Sequence, residues 1–254
     1  MTTLLERVAL HHVGPVPCAA HLREPRGDDE LALAGVDTRS AVQLLTRLAV
    51  APPCPLDALG ASDRDALLAA LHRTLWGDRI VSTIACDACG ADYDLAFELS
   101  ALQRSLAERT EAVAVDAPRA LRTAASERFT LPTAAEEEAA ALLGADGPAS
   151  LASAIAGEGA ATAHAVAARL DTVAPLIDVD LDTACAECGH PQLARFDVQT
   201  FVLQRLLDER DSVLDDLHAL AAGYGWALPD ILALPRSLRR SLVQRLTGAE
   251  PAFR

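Results

Sequence analysis

The chain has 254 residues, of which 51% are hydrophobic and 4% aromatic, so it is long enough to bury a core built mainly of alanine, leucine and valine. Its 22 basic residues are all arginines and its 36 acidic residues give a net charge of -14, which argues against a general nucleic-acid binder. No apolar run approaches the length that crosses a bilayer, so we expect a soluble protein without a membrane-spanning segment.

The N-terminal part of the chain gives few clear signals. Six prolines interrupt the first 60 residues, and one helix is predicted, over 38–50. Order becomes clearer at Ser62, where the run from Ser62 to Asp65 resembles a capping box. A leucine stripe at helical spacing follows, and Gly77 is expected to end that helix.

Two Cys-x-x-Cys-Gly runs are the most informative pattern in the chain. They consist of Cys86, Cys89 and Gly90, and of Cys185, Cys188 and Gly189. Two thiolate pairs at this spacing can together make a tetrahedral zinc site, and a glycine after the second cysteine suits the tight turn of a zinc knuckle. We therefore predict one structural zinc ion per chain, held by all four cysteines.

Alternating apolar and polar residues flank both runs, which predicts a β-hairpin with a knuckle at each tip. The two hairpins also match in register. Phe97 and Phe196 each lie eight residues after the second cysteine, and Leu99 and Val198 lie ten residues after it. An internal duplication explains this match most simply.

Between the hairpins, a short helix is expected after Leu99, followed by short strands or loop around Val113 and Phe129. The run from Thr133 to Glu136 predicts a second capped helix. A surface loop is expected at 144–148 and a further helix at 160–170.

The longest helix is predicted over 199–222, with Gly223 ending it and Leu214 on its buried side. Two short helices should begin at Pro229 and Pro235. The last of them carries four arginines, at Arg236, Arg239, Arg240 and Arg245. These form either a solvated helix face, which we favour, or a docking surface for an acidic partner protein.

These elements predict an α+β fold that is mostly helical, in which two CxxC zinc-knuckle β-hairpins join into one zinc-ribbon-like core. A mainly helical N-terminal segment (1–78) precedes that core (79–202), which contains a helical and β insertion between the hairpins. A C-terminal helical segment (203–254) should pack on it.

Other roles for the cysteines carry less weight. No secretory signal opens the chain, so a reducing cytoplasmic compartment is expected, where paired thiols more often bind metal than form disulfides. A redox dithiol would need a helix N-terminus instead of a hairpin tip. His190 could replace one thiol as a ligand, although a position outside the ligand set is favoured. Cys18 and Cys54 have no ligand-spaced companions.

The order of motifs resembles the baseplate protein family of contractile phage tails, including T-even-type baseplate hub and assembly proteins and relatives in phage-tail-like contractile injection systems. The resemblance covers most of the chain from about residue 38 onward. The segments that carry it are 56–59, 63–68, 76–79, 129–133, 196–201, 218–221, 224–226 and 230–234. The Tyr-Gly-Trp run at 224–226 is the narrowest of these motifs, although Tyr224 and Trp226 are expected simply to pack against the core.

This resemblance implies a structural or assembly component of a baseplate, active in virion assembly in the cytoplasm. Its expected partners are other baseplate, hub or spike proteins, without nucleic acid or a small-molecule substrate. The alternative is a zinc-ribbon module for protein interaction or nucleic-acid binding in transcription-type machinery. An enzyme is not expected, because four thiolates leave zinc no open position and the chain lacks the common catalytic motifs.

Overall fold

The computed structural model describes residues 4–16, 18–124, 128–156 and 163–248. Within these residues the chain forms eleven α-helices and ten β-strands, so the predicted α+β class is confirmed. The strands make four small antiparallel sheets, of two or three strands each. No helix in the described ranges is long and apolar enough to cross a membrane.

The helices are α1 (Gly27–Ala32), α2 (Thr38–Leu48), α3 (Ala61–Trp76), α4 (Leu99–Arg109), α5 (Ala134–Leu142), α6 (Gly147–Ala156), α7 (Ala163–Val173), α8 (Val198–Asp208), α9 (Arg210–Tyr224), α10 (Leu228–Leu232) and α11 (Arg236–Thr247). The strands are β1 (Leu4–Leu10), β2 (Cys18–Arg23), β3 (Ala49–Val50), β4 (Arg79–Ala85), β5 (Asp92–Glu98), β6 (Val113–Ala117), β7 (Ala120–Thr123), β8 (Arg128–Thr130), β9 (Asp178–Ala184) and β10 (Pro191–Asp197).

The main hydrophobic core surrounds α3, whose Leu67, Leu68 and Leu71 are fully buried. The β1-β2-β3 sheet, α2 and α8 contribute further large side chains to this core. Side chains from both sides of residue 78 belong to it, including Leu22 before that position and Phe196 after it. The division of the chain into three segments stays a prediction, but the first two segments share one core.

The capping box predicted for α3 is wrong. Gly60 precedes the first turn of this helix, and the carboxylates at 63 and 65 point into the protein instead. Asp63 accepts hydrogen bonds from the backbone N–H groups of His11 and His12, at 2.7 and 2.9 Å. Asp65 accepts one from the N–H of Ile177, at 2.9 Å, just before β9 begins. The two carboxylates therefore fasten distant segments to the central helix.

The helix predicted over 38–50 ends earlier, at Leu48, because Ala49 and Val50 pair with β2 as a short strand. Asp37 caps the start of α2 by accepting a hydrogen bond from the N–H of Ser40. Strands β1 and β2 form an antiparallel pair in the N-terminal region, for which no strand was predicted.

The region between the two CxxC motifs has a core of its own. The β6-β7-β8 sheet packs with α6 and α7 around Leu121, Ile155 and Val173. The capping box at the start of α5 is confirmed, because Thr133 and Glu136 exchange hydrogen bonds as expected. The helix predicted over 160–170 is described from Ala163 and extends to Val173, while positions 160–162 lie outside the described residues.

The surface loop predicted at 144–148 is confirmed only for its first three residues, which are exposed and connect α5 to α6. A 3-10 turn covers Gly144–Asp146, and α6 begins directly after it, at Gly147. A Cβ atom at Gly147 would lie 2.3 Å from the carbonyl oxygen of Ala140, so the glycine permits a close approach between α5 and α6. This glycine therefore serves helix packing and not loop formation.

The long helix predicted over 199–222 is two helices, α8 and α9, which meet at Glu209. Leu214 faces solvent, with 47% of its surface exposed, instead of lying on a buried stripe. Helix α9 also continues past Gly223 and ends at Gly225, which takes a left-handed conformation with φ +66°. A Cβ at Gly223 would lie 2.7 Å from the Leu246 side chain, so this glycine allows α11 to pack closely.

Candidate metal centre

Each Cys-x-x-Cys-Gly motif forms the tight turn at the tip of a two-stranded antiparallel sheet. In the β4–β5 pair the N–H of Gly90 donates to the carbonyl of Cys86 at 2.8 Å, and in the β9–β10 pair Gly189 donates to Cys185 at 2.9 Å. The two glycines have φ values of +72° and +71°, a left-handed conformation that side chains disfavour. The two turns therefore have the same geometry, as the repeated sequence predicts.

The two turns bring their four thiols into one cluster. All four sulfur atoms, from Cys86, Cys89, Cys185 and Cys188, lie within 4.8 Å of one another. Two sulfur pairs cross between the turns at 3.7 Å, one from Cys86 to Cys188 and one from Cys89 to Cys185. None of these cysteines forms a disulfide. Such a cluster can hold a metal ion, with two ligands from each repeat.

The thiols of the cluster differ in how easily they lose a proton. Backbone N–H groups of Cys89 and Ala88 lower the pKa of Cys86 to about 6. The N–H of Ala91 acts in the same direction on Cys89, but hydrogen bonds with the neighbouring thiols outweigh it and raise the pKa of Cys89 to about 12. Crowded thiols thus resist full deprotonation, and a bound cation would remove that repulsion.

The cluster has a buried side and an exposed side. Cys86 and Cys185, the first cysteines of the two motifs, are each 3% exposed, whereas Cys89 and Cys188 face solvent. Ile84 and Tyr93 pack against the two buried thiols. The site is therefore open to solvent on the side of the second cysteines and sealed by apolar contacts below.

The match between the repeats continues beyond the turns. The N–H of Leu99, at the start of α4, donates to the carbonyl of Asp78 at 2.9 Å, and the N–H of Val198, at the start of α8, donates to Ile177 at the same distance. In each repeat the acceptor lies eight residues before the first cysteine. Each repeat is thus two strands followed directly by an eleven-residue helix.

One contact breaks the symmetry of the repeats, and the sequence did not predict it. The side-chain amide of Gln192 accepts a hydrogen bond from the N–H of Asp87 at 3.0 Å and donates one to the carbonyl of Ala85 at 3.1 Å. The matching residue of the first repeat is Tyr93, whose buried hydroxyl has no partner among the described atoms. The only sequence signal was a polar side chain at an inward-facing strand position.

His190 lies beside the cluster but is not among its ligands. Its side chain is exposed, and the potential ligand group in the described residues contains the four cysteines alone. Its carbonyl accepts a hydrogen bond from the N–H of Cys185 at 2.9 Å. The backbone of His190 therefore helps to shape the turn.

Burial of two of the four arginines contradicts both interpretations of them, the favoured solvated helix face and the alternative docking surface. Arg236 and Arg239 are 3% and 0% exposed, and both pair with the buried carboxylate of Glu30 at 2.7 Å. Arg240 is partly exposed and pairs with Glu209 at 3.1 Å, which leaves Arg245 as the exposed member of the four. Helix α11 uses its arginines to attach itself to α1 and α9, because each guanidinium that enters the interior needs a carboxylate there.

The expectation that Tyr224 and Trp226 pack against the core is also wrong. Their rings stack on each other with centroids 4.9 Å apart, and both side chains are about 40% exposed, at 40% and 41%. Tyr224 is the last residue of α9, and Trp226 follows the left-handed Gly225 that ends this helix.

A serine, a histidine and an aspartate meet near the start of α3, but they do not form a catalytic relay. The hydroxyl of Ser62 and the carboxylate of Asp63 both approach Nδ1 of His12, at 3.0 and 3.7 Å. A triad needs these partners on opposite ring nitrogens. Burial lowers the pKa of His12, so the neutral ring serves as a packed hydrogen-bonding group.

Comparison of the chain with protein-family models, with curated proteins and with solved structures gives no significant match. The thiol cluster and the residues that surround it are the features of the molecule that bear on its function.

Proposed function

We propose that the four cysteines hold one zinc ion whose role is structural. A tetrahedral zinc with zinc–sulfur bonds of about 2.3 Å has sulfur–sulfur edges of roughly 3.8 Å. The two crossing sulfur pairs, at 3.7 Å, fit these edges. This fit is the observation that carries the proposal, and four thiolates complete the coordination without a position for water or substrate.

The zinc would tie together two parts of the chain that share a limited apolar interface at the tips. Apart from the thiols, Ile84 and Tyr93 supply the apolar contacts there. Further from the tips, the rings of Phe97 and Phe196 meet. A zinc-ribbon-like unit made from both repeats would then position α4 and α8, which follow the strands directly.

We further propose that the chain is a structural or assembly component of the baseplate of a phage-tail-like contractile injection system. Support comes from the ordered motifs that resemble that family. Many of the residues that carry this resemblance set the fold: Leu59, Leu67 and Leu68 are buried, and the Trp76 N–H donates to Glu209 between α8 and α9. Its partners would be baseplate, hub or spike proteins, met in the cytoplasm during assembly.

The test is deletion of the gene in the source strain, with tail-like particles examined by sedimentation and electron microscopy. We expect contractile particles to be lost or to lack baseplates, and a plasmid with the natural gene to restore them. The double variant Cys86→Ser, Cys185→Ser should fail to restore them, whereas Cys18→Ser, outside the cluster, should succeed. Normal particles in the deletion strain would refute the baseplate role and leave the metal proposal to be judged by metal analysis.

A further inference from the structure

A groove of about 600 Å³ lies between β4 and α8. Trp76, Arg79 and Val81 line one side of it, and Gln204, Arg205 and Asp208 line the other. Val81 is 47% exposed, on the outward face of β4. The groove therefore combines apolar surface with two guanidinium groups.

Arg205 has no carboxylate partner in the groove. Its guanidinium lies over the Trp76 ring, 4.5 Å from the centroid, and its Nη1 is 3.5 Å from Nε2 of the buried His72. Among the described residues no acidic side chain forms an ion pair with it. Glu209 is close enough to attract it, but the Glu209 carboxylate is already bonded to Trp76, Arg236 and Arg240.

Arg79 is in the same situation on the opposite wall. It is exposed on β4, and no ion pair to it forms within the described parts of the chain. Asp208, the carboxylate that does line the groove, accepts a hydrogen bond from the side-chain amide of Gln204 at 2.7 Å. Two unpaired guanidiniums thus face one cavity.

The chain has 36 acidic and 22 basic residues, yet other exposed arginines among the described residues, such as Arg104 and Arg245, also form no ion pair. Neither of these two lines the groove, and other exposed arginines do find a carboxylate within the chain. Arg39 pairs with Glu138, and Arg195 pairs with Asp178 at 2.6 Å. In the groove, a carboxylate from another molecule could form the ion pair that these two guanidiniums do not make within the described residues.

We propose that this groove binds an acidic segment of a partner protein, with a glutamate or aspartate side chain of that segment between Arg79 and Arg205. The Trp76 ring holds the Arg205 guanidinium in place, so less side-chain entropy is lost when it forms a forked pair with a carboxylate. A neighbouring apolar residue of the segment covers Val81 and Phe201, which a compact anion such as phosphate would leave exposed. The inference rests on the groove alone and does not depend on the proposed baseplate role.

The chain carries its own reporter of this groove, because it has two tryptophans and Trp76 is one of the lining residues. In a Trp226→Phe background, the fluorescence of Trp76 can be followed while a peptide is added. The probe is acetyl-Ala-Glu-Leu-Glu-Ala-amide, and its uncharged match is acetyl-Ala-Gln-Leu-Gln-Ala-amide. We expect saturable binding of the glutamate peptide, about tenfold tighter than the glutamine peptide.

Two variants locate the binding, and a third serves as the control. Arg79→Gln, at an exposed position that the fold does not need, and Arg205→Gln should each weaken binding of the glutamate peptide about tenfold. Arg104→Gln, an exposed arginine on α4, should leave it unchanged. Binding should also fall as salt is raised, because the contact is between exposed charges.

Several results would overturn the proposal. The glutamate peptide at millimolar concentration could fail to bind, bind no better than its glutamine match, or bind equally well to Arg79→Gln. Inorganic phosphate binding as tightly as the peptide would make the groove a small-anion site. Concentration-dependent self-association that Arg79→Gln abolishes would make a second copy of this chain the occupant.

Discussion

The rings of Phe97 and Phe196 meet edge to face, with centroids 5.0 Å apart and planes at 86°. The two residues hold the same position in their repeats, eight residues after the second cysteine. The repeats therefore touch through equivalent residues at two levels, the thiols at the tips and these rings at the base. Edge-to-face pairs add about 0.5–1.5 kcal/mol beyond the area that they bury.

One zinc per chain is expected in purified protein, since two thiolates come from each repeat and neither pair alone completes the site. Elemental analysis of protein prepared without added metal measures the ratio. A folded, metal-free chain, or a chain with two metal ions, contradicts the shared site.

Replacing Cys86 or Cys185 with serine is expected to lower the thermal unfolding midpoint and abolish zinc retention, because zinc-binding free energy is also folding free energy. A chelator should shift the midpoint of the natural protein toward that of the variants. The control is Cys54→Ser, a cysteine outside the cluster, which should keep its zinc. If the midpoint of Cys185→Ser equals that of the natural protein, the site is not structural.

The asymmetric contact at the tips gives a paired prediction. Gln192→Ala should destabilise the fold by about 1–2 kcal/mol, because it removes both hydrogen bonds to the opposite turn. Tyr93→Phe should be neutral or stabilising by up to about 1 kcal/mol, because it removes a buried hydroxyl without a partner. Denaturant unfolding of both variants measures this, and a costly Tyr93→Phe change would reveal a bond that the hydroxyl makes.

The buried ion pairs of α11 should be essential to the C-terminal helices. Glu30→Ala removes one of the two carboxylates of each buried arginine and leaves Arg236 with Glu209 and Arg239 with Asp216, so we expect a loss of about 3 kcal/mol. Arg239→Glu should disrupt the packing of α11 instead of leaving the chain folded. Arg245→Glu, on the exposed part of the same helix, should change stability by less than about 0.5 kcal/mol. Equal stability of the Arg239 and Arg245 variants would contradict the burial of Arg239.

Asp65 should make stability depend on pH. Burial raises the pKa of its carboxyl to about 7, so the folded state holds a proton that the unfolded state releases above its ordinary pKa near 4. The carboxyl therefore destabilises the fold progressively as pH rises from about 4 to 7. Asp65→Asn should gain stability relative to the natural protein on going from pH 5 to pH 8, on the order of 2 kcal/mol. A difference between the two proteins that stays constant with pH would contradict the raised pKa.

The thiol cluster could be predicted because its signal is local: two short motifs and the alternating strands beside them determine which residues meet. The capped start of α5 was predictable for the same reason, since Thr133 and Glu136 are three residues apart. Burial of Arg239 was not, because its partner Glu30 is 209 residues away and the arginines of α11 follow the pattern of a solvated face. The run from Ser62 to Asp65 resembled a capping box, but the carboxylate of Asp63 bonds to backbone 51 and 52 residues earlier.

The thiols that meet in the cluster are 96 and 102 residues apart in the chain, which sets the order of events during synthesis. At typical translation rates of about 5–20 residues per second, the first motif waits roughly 5–20 seconds for the second. The main core is incomplete for the same interval, because Phe196, Val198 and Leu203 belong to it. A chain that stops before residue 188 can close neither the cluster nor the core, so it can form neither the proposed metal site nor the complete packing around α3.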